Sequence, residues 1–173
     1  MKLVATVVLV VGFFLTETSF ALIEGQLLVG QRSSKPDLGD TFTGTETKLS
    51  VYVDPIPLVP VGVGLTFANT SYDEDGLDSG TEISLDVTAW IPIPGSIEPY
   101  AKIGYIVSGE LKGGGDSVDI GGTKFGLGVK FSLIPLVAVM AEVEKSSTEI
   151  TSGVADGFKY DNTSFFVGVA AGI

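Results

Sequence analysis

Glu82-Ile83-Ser84-Leu85-Asp86-Val87-Thr88-Ala89-Trp90-Ile91-Pro92-Ile93-Pro94 is the stretch on which the fold turns. Successive side chains of a β-strand point to opposite faces. Ile83, Leu85, Val87, Ala89 and Ile91 therefore share one face, and Glu82, Ser84, Asp86, Thr88 and Trp90 share the other. The strand then runs into a proline turn that is itself apolar. A soluble sheet would bury the aliphatic face and end in a wet turn. A greasy turn beneath a strand with an aliphatic face and a charged face points instead to a strand crossing a membrane with its charges turned inward.

The same alternation recurs through eight segments between Leu22 and Ile173. Leu49, Val51 and Val53 oppose Glu46, Lys48, Ser50 and Tyr52, while Val61, Val63, Leu65 and Phe67 oppose Gly62, Gly64, Thr66 and Ala68. Phe125, Leu127, Val129 and Phe131 oppose Lys124, Gly126, Gly128, Lys130 and Ser132, and Val137, Val139, Ala141 and Val143 oppose Ala138, Met140, Glu142 and Glu144. The last segment, around Phe165 to Gly172, is apolar on both sides, so its facing stays open. Connections at one end are short and proline-rich: 55–60, 91–95 and 133–136. Those at the other end are polar and acidic and read as long loops: Ser33 to Thr43, Asn69 to Ser79, Ser108 to Asp119 and Ser146 to Asn162. A transmembrane strand needs roughly 9–11 residues. The expectation is an all-β, eight-stranded antiparallel up-and-down transmembrane β-barrel.

Residues 1–21 read as a secretory signal peptide, with Lys2, the 13-residue apolar run Leu3 to Leu15 and a Ser19-Phe20-Ala21 cleavage site. The barrel is expected over 22–173. The chain contains no cysteine and no histidine, which removes thiol chemistry, the usual neutral-pH base and the commonest zinc ligand. A net charge of −11 excludes a basic footprint for nucleic acid. A mean hydropathy of +0.43 beside that charge fits apolar residues facing lipid and charges placed in lumen and loops.

Lumen parity gathers Glu24, Glu46, Glu82, Asp86, Glu142 and Glu144 with Arg32, Lys48, Lys102, Lys124 and Lys130. Unpaired charges in a narrow interior are costly, so these eleven are expected to interleave into a salt-bridge network that fills the barrel. A gated ion path or proton relay is the functional alternative. Aromatics near the strand ends read as interfacial girdles: Phe42, Phe67, Tyr72, Phe125, Phe158, Tyr160 and Phe165 by the loops, Phe131 by the turns. Trp90, Tyr52 and Tyr100 carry lumen parity and would plug the turn end unless a bulge turned them outward.

With these residues in place, the chain resembles the OmpA/OmpX-type family of small outer-membrane barrels of Gram-negative bacteria. The resemblance extends over the whole region after residue 21 and includes Glu98-Pro99-Tyr100-Ala101-Lys102-Ile103-Gly104-Tyr105, similar to the Pro-Tyr-x-x-x-Gly-Tyr opening of a strand after a periplasmic turn. It implies residence in the outer membrane, contact with outer-membrane lipid and engagement of the barrel assembly machinery during biogenesis. Members commonly end on phenylalanine, whereas this sequence ends on Ile173. No peptidoglycan-binding domain is expected after the barrel.

Few residues invite chemistry beyond that. Asp73, Asp75 and Asp78 cluster in one acidic loop and form a weak Ca²⁺ candidate, without the spacing of an EF-hand. Gly113-Gly114-Gly115 lacks the Lys-Ser/Thr of a phosphate loop. Ser84 and Ser132 have no evident base. The expectation is a non-enzymatic barrel without a cofactor, with a structural or surface-interaction role and a loop-binding partner that the sequence does not name. Two alternatives remain, a narrow ion or small-solute pore and a soluble secreted lipocalin-like binding protein with the opposite facing.

Overall fold

The computed structural model describes residues 23–173 apart from 38, 56–58, 75 and 153–156. The signal-peptide reading and Ile56, Pro57 and Leu58 of the first turn lie outside the described residues. Eight strands follow in order: β1 (Ile23–Pro36), β2 (Phe42–Val53), β3 (Val61–Glu74), β4 (Leu77–Trp90), β5 (Ile97–Gly113), β6 (Asp116–Ile134), β7 (Val137–Ile150) and β8 (Lys159–Gly172). Each pairs antiparallel with its neighbours, and β8 returns to β1, closing the barrel. Closure leaves no unpaired sheet edge, the condition for strands to cross a bilayer.

The facing is lipid-side apolar. Leu49, Leu65, Leu85, Ile103, Leu127 and Val167 stand 54–68 % exposed on the outer wall. Inside, Glu46, Lys48 and Asp86 are fully enclosed at 0 %. The soluble lipocalin-like alternative, which requires the aliphatic face to form the core, is therefore overturned. On β4 the outward apolar run from Ile83 to Ile91 covers about 26 Å along the strand at about 3.3 Å per residue. Tilted by about 40°, it spans roughly 20 Å of the membrane normal, close to the apolar band of such barrels. The facing of β8 is now fixed, with Phe165, Val167 and Val169 outward and Phe166 and Ala170 inward.

The acidic connections are shorter than the sequence suggests. β3 and β4 run on until Glu74 pairs with Leu77, and β5 and β6 until Gly113 pairs with Asp116. Gly114 and Gly115 form that tight turn with φ of 60° and 90°, the left-handed pair that two-residue hairpins favour. Above the membrane both faces of a hairpin are wet, so the amphipathic alternation fades while the backbone ladder continues. Two of the expected loops are thus hairpin extensions of the wall.

Glycines on the lumen face make room for rings. Gly64 pairs with Tyr52, Gly44 with Tyr72, Gly128 with Tyr100 and Gly30 with Phe166. A Cβ at Gly128 would run into the Tyr100 ring and hydroxyl, and one at Gly64 into the Tyr52 ring. Each aromatic lies across the bare backbone of the next strand, an arrangement that packs a narrow interior tightly.

Candidate functional site

The lumen is built in layers. At the turn end Lys130 Nζ, on β6, donates to both oxygens of Glu24 at 2.8 Å and lies 3.4 Å from Glu98. The ammonium stands 5.8 Å from the Trp90 ring centre and 5.7 Å from that of Tyr100. Beside this mouth Asp54 has its carboxyl pushed up by burial, with the charge of Glu24 adding to the effect.

The middle layer is an alternating quartet. Lys48 on β2 and Lys102 on β5 reach across the barrel to Glu142 and Glu144 on β7. Lys48 Nζ donates to Glu142 at 2.5 Å and to Glu144 at 2.9 Å, and Lys102 Nζ lies 2.8 Å from each. Tyr100 OH also donates to Glu142 at 2.8 Å, and Lys48 Nζ sits 3.7 Å from the Phe166 ring centre. On the facing wall Asp86 accepts from Thr66 Oγ1 at 2.5 Å and Tyr52 OH at 3.2 Å. Two cations and two anions in alternation compensate one another, which a single pair in this enclosure would do less well.

The upper layer centres on Arg32. Its Nη2 meets Glu82 at 2.6 Å, Nη1 donates to Thr70 at 3.1 Å, and Nε lies 3.7 Å from Glu46. Ser164 Oγ donates to Glu46 at 3.0 Å. Above this, Tyr160 packs with Ile120 and Ile150 beneath Leu111, Val118 and Phe158, and Tyr72 stacks edge-on to Phe42 at 5.3 Å. Tyr72 and Tyr160, expected in an outer girdle, are buried in the lumen; their even position on β3 and β8 places them with Thr70 and Asn162. Tyr52 and Tyr100 occupy the turn end. Buried tyrosines thus stand toward both ends of the lumen.

The structure thus places all eleven lumen charges on the inner face and brings nine into ion pairs. Asp86 bonds only hydroxyls, and Lys124 Nζ is buried with no hydrogen-bond partner among the described residues. Asp73 and Asp78 are exposed on the β3–β4 hairpin, and Asp75 lies outside the described residues. Among the described residues no three carboxylates converge as a metal site. Ser84 is enclosed in the lumen, and Ser132 lies at the turn end. On the β5–β6 hairpin, Lys112 and Ser117 hydrogen bonds hold the Glu110 carboxyl below its usual range.

No protein-family profile and no curated protein matches the sequence. Solved structures match its shape. Neisserial surface protein A superposes with a TM-score of 0.69 at 14 % identity, over 87 % of this chain and 97 % of that one. The fold is that of the small eight-stranded outer-membrane barrels. The outer membrane enzyme PagL gives 0.60 at 12 % identity, covering 84 % and 99 %. The outer membrane protein OprG from Pseudomonas aeruginosa gives 0.55 at 15 %, covering 88 % and 97 %. One of these three is an enzyme, so this shape houses catalysts as well as non-catalytic proteins.

Sequence reasoning passed over the four outward lysines, Lys35 on β1, Lys112 on β5, Lys145 on β7 and Lys159 on β8. The parity that placed Glu142 and Glu144 inside would have placed Lys145 outside, directly above Val143.

Proposed function

We propose that this chain is a non-catalytic barrel of the bacterial outer membrane, held rigid by a closed, ion-paired lumen and acting through its acidic outer hairpins. The observation that carries the reading is the filled interior. The Lys48–Glu142–Lys102–Glu144 quartet crosses the barrel between tyrosines at either end. A chain without histidine or cysteine supports the absence of catalysis, since the nucleophiles Ser84 and Ser132 would lack a base. The hairpins carry Asp73, Glu74, Asp78, Glu110, Asp116 and Asp119, a surface that suits basic or cation-bridged partners outside the cell. Barrel assembly machinery and outer-membrane lipid are its partners during and after insertion.

The test is outer-membrane fractionation with gel mobility before and after heating, followed by recording in planar bilayers. The expected result is a heat-shifted band in the outer-membrane fraction and silent membranes. A narrow pore is the second reading, favoured by the unpartnered Lys124 ammonium and the free oxygens of Glu46, Glu82 and Asp86 along the lumen. Stepwise conductance whose ion selectivity changes in Lys102→Glu or Glu142→Gln would establish the pore and discard the closed lumen.

A further inference from the structure

At the turn end the inward parity of β2 runs one step past the strand. Asp54 is the next inward position after Tyr52, and its Oδ1 leans over the bare backbone of Gly62 on β3. A Cβ on Gly62 would meet that oxygen at 3.0 Å and the Trp90 ring of β4 at 3.5 Å, so carboxylate and indole share one glycine. Glu24 of β1, Glu98 and Tyr100 of β5 and Lys130 of β6 stand around the same mouth. From β7 and β8 it receives the uncharged side of the wall, Ala138, Met140, Ala170 and Gly172.

Three carboxylates therefore share one ammonium. In the middle of the lumen two lysines meet two glutamates, but here the acids are in excess. Lys130 is committed to both oxygens of Glu24 and stands near Glu98, with aromatic rings beside it. Asp54 makes no ion pair among the described residues. Burial, then the charge of Glu24, push its carboxyl up; Lys130 opposes them and Glu98 adds to the rise. Asp54 and Glu98 are half-exposed, so protons reach them from the water on that side.

We propose that Asp54 is a proton switch at the turn-end mouth. In mild acid it takes up a proton, stops repelling Glu24 and Glu98, and leaves Lys130 wholly to them. The mouth then draws in around Trp90. A protonated carboxyl is also a hydrogen-bond donor, which a ring of carboxylates otherwise lacks. The barrel binds this proton at a pH where the unfolded chain, with an ordinary aspartate of about 3.9, does not. The contribution of Asp54 to stability therefore rises as the pH falls through the raised range, opposite in sign to an aspartate held by a salt bridge. Nothing in this switch depends on whether the lumen conducts.

The test uses the full chain folded into phosphatidylcholine vesicles, with gel mobility before and after heating to show that each variant is a closed barrel. Trp90, the single tryptophan, reports the mouth. Its fluorescence and its quenching by acrylamide are followed from about pH 8 to about pH 4. Wild type is expected to show one step in both, centred above the ordinary aspartate value, with weaker quenching on the acid side. Asp54→Asn is expected to lose the step and to show the weaker quenching throughout. Glu24→Gln is expected to move the step down, because it removes a repelling charge and frees Lys130. Glu149→Gln, at the opposite end, leaves the step in place. Urea midpoints read the sign: Asp54→Asn exceeds wild type at neutral pH, and the difference closes in acid. A step that survives Asp54→Asn or vanishes in Glu149→Gln overturns the proposal. So does quenching that is constant across the step, or a midpoint difference that widens in acid. Should Asp54→Asn fail to close, Glu24→Gln decides alone, and an upward shift or none overturns the switch.

Discussion

Glu142 receives more than any other side chain in the lumen, with Lys48, Lys102 and Tyr100 all donating to it. Glu142→Gln keeps the shape and removes the charge, leaving two enclosed ammonium groups to share Glu144. Breaking a buried pair by removing one partner costs about 3–5 kcal/mol. The variant is expected to fall in that range in urea unfolding from lipid vesicles, followed through the single tryptophan, Trp90. Glu149→Gln removes an exposed partner of Lys159 and is expected to change stability by no more than about 0.5 kcal/mol. Which residues face the lumen was legible from parity alone. Which charge meets which was not, because Lys48 and Glu142 lie 94 positions apart in the chain and only closure through the β1–β8 seam brings β2 within three strands of β7. The ring-on-glycine pairs were half legible. Gly64 and Gly128 had inward parity in plain view, but their partners Tyr52 and Tyr100 follow from register.

Among the described residues, the β6–β7 turn holds the one non-glycine residue with a positive φ. Ile134-Pro135-Leu136-Val137 places proline second and a residue of positive φ third, with Leu136 at 70°. A turn of that pattern favours glycine or asparagine in the third place. A leucine there costs roughly 1 kcal/mol in backbone strain, and its side chain is 44 % exposed. Leu136→Val puts a β-branched residue into the same conformation and is expected to lower stability by about 1 kcal/mol or more. Leu136→Gly is expected to be near neutral, relief of strain offsetting the freer unfolded chain. Urea midpoints in the same vesicles separate the two. The proline turns were evident in the sequence, whereas the outer hairpins were misread as loops. Their signals were present in Gly114-Gly115 and in the β-forming Val118 and Ile120, but they were masked by glycines and acids that propensity assigns to loops.

At the scale of the whole molecule, charge is sorted as thoroughly as hydropathy. The lumen nearly neutralises itself, so the large negative charge of the chain resides outside the wall, mostly on the hairpins of one end. That imbalance was visible in composition, and its placement at one end in the acidic connections between the strands. Closure itself has a further consequence. Ile23 and Ile173 exchange both backbone hydrogen bonds across the β1–β8 seam, at 3.2 and 2.9 Å. This seam is bonded like every other interface in the wall, so the strands form a cycle and no position in it is privileged as a beginning. A chain opened between Gly114 and Gly115 and joined from Ile173 to Ile23 by a short polar linker is expected to close into the same barrel, with an unchanged heat shift. The order in which the strands are synthesised would then be a property of the gene, and their circular order a property of the protein.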